Sequence, residues 1–289
     1  MKNVFKKILP LLAIAIIIYI IIMSVSVLKN AQSNTKNGEK RIRSSNYSDT
    51  ISNGSILLIN NIWGATDKEK SNKTTLKSYV YLESDGDFGW EWSRPDPRPD
   101  TNTYIPPIYP EVMIGAPHGS LDSTTFAFPI KYGDIDTWTN EVDFNYTKKP
   151  EGEYDFAYDI YFVDKSNPDI NKFNVMIWIS GHLTNDKSIK VVSDGINEYD
   201  YYYRDPNEDT NWPWSAFVLK NQGSSNFKVN IKKLLEQVPP DMIDDNWYVQ
   251  GIELGHEIYR GSGKIEISKY VTNLNGHIIQ KGSNVTRGA

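Results

Sequence analysis

The 289-residue chain contains no cysteine, which excludes disulfides, thiolate metal sites and a cysteine nucleophile together. Histidine is scarce. The four residues, His118, His182, His256 and His277, have no spacing that would set two of them on one metal, so no metal and no other cofactor is expected. Excess positive charge is also missing: the formal net charge is −5 and no basic stripe runs through the sequence, which argues against nucleic acid as a partner. There is no G-x-S-x-G nucleophile elbow. The Gly-Ser-Gly at 261–263 lacks the lysine and the following helix of a phosphate loop and reads as a turn.

Large apolar side chains are nearly absent from residues 29–54, which cannot bury enough surface to order themselves and are expected to form a flexible polar linker. Just before them lies the longest apolar run, Ile8 to Leu28, with Lys2, Lys6 and Lys7 on its N-terminal side. Its 21 residues reach the roughly 20 needed to span a bilayer and exceed the roughly 7–15 of a cleavable signal core. Residues 1–28 are therefore read as a signal anchor or signal peptide. Uncleaved, residues 8–28 make the membrane a partner. In either case the lysines stay in the cytoplasm and the rest is expected to be extracellular or at the cell surface.

Aromatic residues are abundant, with 8 Trp and 18 Tyr. Such rings stack on the apolar faces of sugars and equally pack β-sheets, so composition alone leaves both uses open. From residue 55 onward short alternating runs such as "SYVYLE", "EVDFNYT", "YDFAYDIYFV" and "KIEISKYV" are separated by Gly, Pro, Asn and Asp. Many short strands at this spacing predict an all-β jelly-roll sandwich over 55–289. One segment breaks the period: Ile231, Leu234, Leu235 and Val238 recur at helical spacing and Pro239 ends the run, which predicts one short helix. Six of the 15 prolines fall between Pro95 and Pro110, marking an irregular loop that leads to a strand at Glu111.

Strand side chains alternate between faces. In "FNVMIWI" Phe173, Val175, Ile177 and Ile179 form an apolar face, opposite Asn174, Met176 and Trp178. In "GIELGHEIYR" Ile252, Leu254, His256 and Ile258 fall together, opposite Glu253, Gly255, Glu257 and Tyr259. In "FAYDIYFV" Ala157, Asp159 and Tyr161 oppose Phe156, Tyr158, Ile160 and Phe162. Each of the three has a core face and a second face that mixes polar and aromatic groups. A solvent-exposed outer face explains any one of them, but large rings in a row mark a site. An apolar setting for Glu257 would keep its carboxyl protonated as a general acid.

Taken in order, "NNIWGA" (60–65), "GWEWS" (89–93), "YPEVMIG" (109–115), "AYDIYF" (157–162), "NVMIWI" (174–179), "IKKLLEQ" (231–237) and "GIELGHEIYRGSGKI" (251–265) resemble glycoside hydrolase family 12, the jelly-roll endoglucanases and xyloglucanases. The resemblance implies an open concave cleft for a β-1,4-glucan polysaccharide or oligosaccharide and a retaining mechanism, which needs two carboxyl groups about 5–5.5 Å apart. It carries the acid/base role to Glu257, with His256 as a departure from the family's Gly-Thr-Glu, and a supporting role to Asp159. The nucleophile position falls on Asn174. Trp63, Trp90, Trp92 and Trp178 are implied to stack on sugar or shape the cleft; Met176, Glu111 and Glu253 are further candidate substrate-binding residues.

A neutral amide can neither form and release a glycosyl ester as a carboxylate does nor stabilise an oxocarbenium-like transition state with its charge. Three readings follow. The protein binds glucan without turning it over. Alternatively, Asp159, Glu111 or Glu253 serves as general base on water, giving inversion if the carboxyls are roughly 6.5–9.5 Å apart. The third is a local shift in the resemblance, or a deliberate substitution. A structural surface protein that reuses the sandwich is a further alternative.

Overall fold

The computed structural model describes residues 32–36, 39–47, 49–71, 75–100, 103–181, 187–206, 211–282 and 286–287. The expected anchor or signal segment, residues 1–28, lies outside them, as does His182.

Two sheets face each other. The outer sheet is organised on one long strand, Ile258–Leu274. Along one edge it pairs with Phe88–Arg94 and then with His277–Gln280; along the other it pairs with Trp138–Tyr154. Lys77–Leu82, Glu39–Ser44 and Gln32–Lys36 extend the sheet beyond Phe88–Arg94. The second sheet runs in the order Lys190–Ser193, Glu198–Arg204, Trp214–Leu219, Asn167–Ser180, Phe156–Asp164, Gly251–Gly255, Tyr109–Gly115, Ile56–Asn61 and Thr50–Asn53. Among these pairs only Asn167–Ser180 with Trp214–Leu219 is parallel. This is the all-β jelly-roll sandwich expected from the spacing of the short strands, with neither sheet closed on itself.

Alternation explains the core. Trp90, Trp92, Ile265 and Ile267 of the outer sheet meet Val112, Ile114, Phe156, Tyr158, Ile160, Val175, Ile177, Ile252 and Leu254 of the second sheet, all fully buried. The predicted helix forms at Ile231–Leu235. Asn230 caps it by accepting the Lys233 backbone N–H at 3.1 Å, and Ile231, Leu234, Leu235 and Val238 are buried. A second short helix, Asp67–Ser71, was not expected. The strand after the proline-rich loop begins at Tyr109 rather than Glu111. Pro110 is tolerated inside it, and its carbonyl accepts the His256 N–H at 3.3 Å.

Within the flexible linker expected over 29–54, the described residues 32–36, 39–47 and 49–54 include paired strands. Glu39–Ser44 pairs with Lys77–Leu82, and Thr50–Asn53 pairs with Ile56–Asn61. The few apolar side chains are used, Ile51 buried in the core and Ile42 packed against it, and cation–aromatic contacts lie beside them. The Arg41 guanidinium lies 4.9 Å from the Tyr81 ring centre and binds Glu83, while Arg43 covers Tyr79.

Candidate active site

The site is built on four adjacent strands of the second sheet. Asp159 stands opposite Met176 on one neighbour and Glu253 on the other, while Asn174 stands opposite Tyr161. The face away from the core therefore carries Ala157, Asp159 and Tyr161 beside Asn174, Met176 and Trp178 on one side and Glu253 on the other. Met176 and Trp178 pack there with Ala157, Ala216, Val218, Tyr202 and Trp214 in an apolar cluster separate from the main core. Gly255 allows this part of the sheet to pack closely: a Cβ there would lie 2.8 Å from the Pro110 carbonyl oxygen and 2.9 Å from Glu111 Cβ.

Asn174 is 4% exposed. Its Nδ2 donates to Asp159 Oδ1, and also to the Ile160 carbonyl at 3.4 Å. Asp159 Oδ2 accepts the Tyr161 hydroxyl at 2.8 Å, so each oxygen of this carboxyl has a donor. Burial pushes Asp159 up to about 7; the two hydrogen bonds oppose the shift and the nearby Glu257 adds to it. Glu111 and Glu253 lie diagonally on neighbouring strands, Glu111 opposite Gly255 and Glu253 opposite Met113. Asn61 Nδ2 donates to Glu111 Oε1 at 3.1 Å, while the buried Oε2 has no hydrogen-bond partner among the described residues. Burial raises Glu111 to about 8, and raises Glu253 well above the carboxylate range with Glu111 and Asp159 adding repulsion.

Glu257 does not sit within a strand. The stretch "GIELGHEIYR", expected to be one continuous strand, is divided: Gly251–Gly255 belongs to the cleft sheet and Ile258–Leu274 to the outer sheet. Glu257 stands at the crossover. Its carboxyl is raised by burial, which favours the protonated acid, against an opposing hydrogen bond from Asp155. His256 points the other way, into the core. Its Nδ1 accepts Trp90 Nε1–H at 3.0 Å, its Nε2 pairs with the Tyr146 hydroxyl at 3.1 Å, and its ring stacks on Phe156 at 4.5 Å. Burial holds its pKa well below the usual histidine value, so it is a neutral packing residue.

The tryptophans separate into two groups. Trp63 is 49% exposed at the end of Ile56–Asn61, with its N–H on Asn61 Oδ1 at 3.2 Å, and Trp178 lies on the cleft side. The expectation that Trp90 and Trp92 contact sugar is corrected: both are fully buried between the sheets. Their strand, Phe88–Arg94, is in the outer sheet, where the same alternation turns them toward the core. Trp92 lies over Gly263, where an added Cβ would come within 2.3 Å of the indole.

Sequence reasoning missed Asp155, Asn61, Tyr109, Tyr202 and Trp214. Asp155 shares the parity of Ala157, Asp159 and Tyr161, and that signal was available. The contacts of Asn61 and Trp214 come from strands distant in sequence and carried no such signal.

Several buried carboxyls thus share one face of an open sheet with the apolar cluster of Met176 and Trp178. The sequence profile of glycosyl hydrolase family 12 matches residues 55–275, and the chain belongs to that family. It is 25% identical over 237 residues to Endoglucanase S of Pectobacterium parmentieri, covering 78% of this chain and 85% of that protein. A family 12 xyloglucanase from Bacillus licheniformis in complex with ligand superposes with a TM-score of 0.68 at 24% identity, covering 80% of this chain and 99% of that one. Endoglucanase cel12A from Rhodothermus marinus superposes with a TM-score of 0.64 at 18% identity, covering 82% and 99%. At these identities the structural likenesses speak for the fold.

Proposed function

We propose that the cleft takes a β-1,4-linked glucan of the cellulose or xyloglucan type at the cell exterior, with Glu257 as proton donor to the leaving oxygen and hydrolysis reduced or lost at Asn174. The observation that carries this reading is the hydrogen bond from the Asn174 amide to Asp159. An amide occupies the position to which the family resemblance assigns the nucleophile, and Asp159 is the carboxyl in direct contact with it. Double displacement through residue 174 has no carboxylate to form the glycosyl ester. Hydrolysis that remains runs by a single displacement. Glu257 gives its proton to the glycosidic oxygen as that bond breaks, and Asp159 takes a proton from the water that attacks the anomeric carbon, leaving an inverted product. The relatives' printed activities, endoglucanase and xyloglucanase, support the substrate class. The apolar run Ile8 to Leu28 supports an exterior location on a membrane anchor or after secretion.

The second reading, glucan binding without turnover, is favoured by the same amide. The test is reducing-end release from soluble β-glucan and xyloglucan, with calorimetric binding in parallel, for the full chain and its Asn174→Glu, Asp159→Asn and Glu257→Gln variants. Slow hydrolysis with inverted product, abolished by Asp159→Asn and by Glu257→Gln, supports the first reading. Binding without release, with hydrolysis gained in Asn174→Glu, supports the second. Absence of glucan binding in every version overturns both.

A further inference from the structure

Residues that precede the family 12 match build a cavity against it. The match begins at residue 55, and Glu39–Ser44, which lies before it, pairs with Lys77–Leu82. Beyond Ser44 the chain turns beside Asn60, and hydrogen bonds pin the turn on both sides. Asp49 Oδ2 accepts the Ser44 hydroxyl at 2.6 Å and the Asn46 N–H at 3.1 Å. The fully buried Asn60 donates Nδ2 to the Asn46 carbonyl at 3.0 Å, and its Oδ1 accepts the Ser78 hydroxyl at 2.7 Å. Between this turn, the helix Asp67–Ser71 and the start of Lys77–Leu82 lies a cavity of about 330 Å³. Small-molecule sites measure roughly 300–1,000 Å³.

The cavity is lined by carbon and by positive charge. Ile62, Leu76 and the rings of Tyr47 and Tyr79 supply the apolar surface, and Tyr47 is 53% exposed. Arg43, Lys70 and Lys77 supply the charge. The Arg43 guanidinium covers Tyr79, while Lys70 Nζ lies 5.5 Å from the Tyr47 ring centre and 3.4 Å from the Trp63 carbonyl. One carboxylate, Glu69, shares the lining, and both of its oxygens are taken by Arg94 and Thr66. None of the three cations has an ion-pair partner among the described residues. In a chain of net charge −5, three such cations around one cavity call for an anion. A bare inorganic ion would leave the apolar lining uncovered, and a neutral ring would leave the cations without a counter-charge. We propose that the cavity binds a small carboxylate carried on a ring, a sugar acid or an aromatic acid. The ring packs on Tyr47 and the floor of Ile62 and Leu76, as pyranose and aromatic faces both do on tyrosine. The carboxylate is held by Lys70, Lys77 and Arg43 through charge-assisted hydrogen bonds.

Calorimetric titration of the full chain with glucuronate and with benzoate, beside glucose, benzyl alcohol and inorganic phosphate, tests the site. Binding of either acid, weakened by added salt and not shared by the neutral analogues, is the expected result. The preference between the two acids then identifies the ring. Lys70 and Lys77 are exposed, so Lys70→Met and Lys77→Met keep the fold, which an unchanged unfolding midpoint checks. Each should weaken binding about tenfold, the loss of one charge-assisted hydrogen bond. The proposal is overturned if neither acid binds, if the neutral analogues bind as well, or if phosphate binds more tightly than both acids. Unchanged affinity in both lysine variants overturns it as well. None of these readouts involves glucan, so they leave the reading of the cleft to its own test.

Discussion

Removing the guanidinium of Arg94 tests how the crossover at Glu257 is held. Arg94 is fully buried and forms a forked ion pair with Glu69, Nε to Oε1 at 2.8 Å and Nη2 to Oε2 at 3.2 Å. Its remaining donors reach three main-chain carbonyls: Gly64 at 3.1 Å, Pro106 at 3.0 Å and Ile258 at 2.7 Å. One side chain thus ties the helix Asp67–Ser71, the proline-rich loop and the residue after Glu257 together. Arg94→Met keeps most of the stem volume and leaves Glu69 with only Thr66 as a partner, through its N–H at 2.8 Å and its hydroxyl at 3.0 Å. Breaking a buried pair from one side costs about 3–5 kcal/mol. For a domain of this size the fall in Tm is on the order of 10 °C. In the parent, burial works to raise the Glu69 pKa, but the Arg94 and Thr66 hydrogen bonds outweigh it and the net shift is downward. The pair therefore contributes stability above the unfolded carboxylate pKa that is lost as pH falls through the folded value. The deficit of Arg94→Met should be largest at neutral pH and shrink toward pH 4, and Arg94→Met/Glu69→Met should recover part of it. Urea denaturation at two pH values measures both. A deficit below about 1 kcal/mol, or a double variant no better than the single, refutes the reasoning.

The buried cleft carboxyls give the opposite pH sign. Asp159 is raised to about 7 and Glu111 to about 8 from unfolded values near 4. Their contribution is fully present below about pH 4 and is lost as pH rises toward 7–8, so Glu111→Gln should flatten the decline in stability over that window. Gly263→Ala should cost about 1–3 kcal/mol, measured by thermal unfolding, because its Cβ would meet the Trp92 indole at 2.3 Å in a filled core. His256→Ala should cost about 3 kcal/mol, since it opens a cavity against Phe156 and leaves Trp90 Nε1 without its acceptor. An unchanged midpoint in either variant would show that the neighbouring rings relax at no cost.

Much of the fold was legible in the sequence because side-chain alternation is a local property. The apolar parity of "FNVMIWI", "FAYDIYFV" and "GIEL" placed Val175, Tyr158 and Leu254 in the core and Asn174, Asp159 and Glu253 on the opposite face. The same logic failed where the chain changes sheet. Trp90 and Trp92 read as cleft residues because a motif gives a strand's residues but not the sheet to which the strand belongs. The continuous alternation through "GIELGHEIYR" concealed the crossover at Glu257, since parity survives a change of sheet while the meaning of each face does not.

By itself, the sequence determined the class of fold, the family and the amide at residue 174, because these depend on residue type and order along the chain. Tertiary structure alone decided what surrounds that amide. Asp159 receives the Asn174 amide, Glu111 comes beside Glu253, and the Asp155 N–H meets the Glu257 carbonyl, through register between strands up to about 140 residues apart and through the meeting of two crossovers. Proton affinity is set by burial and by near neighbours, and both exist only once the sheets are stacked.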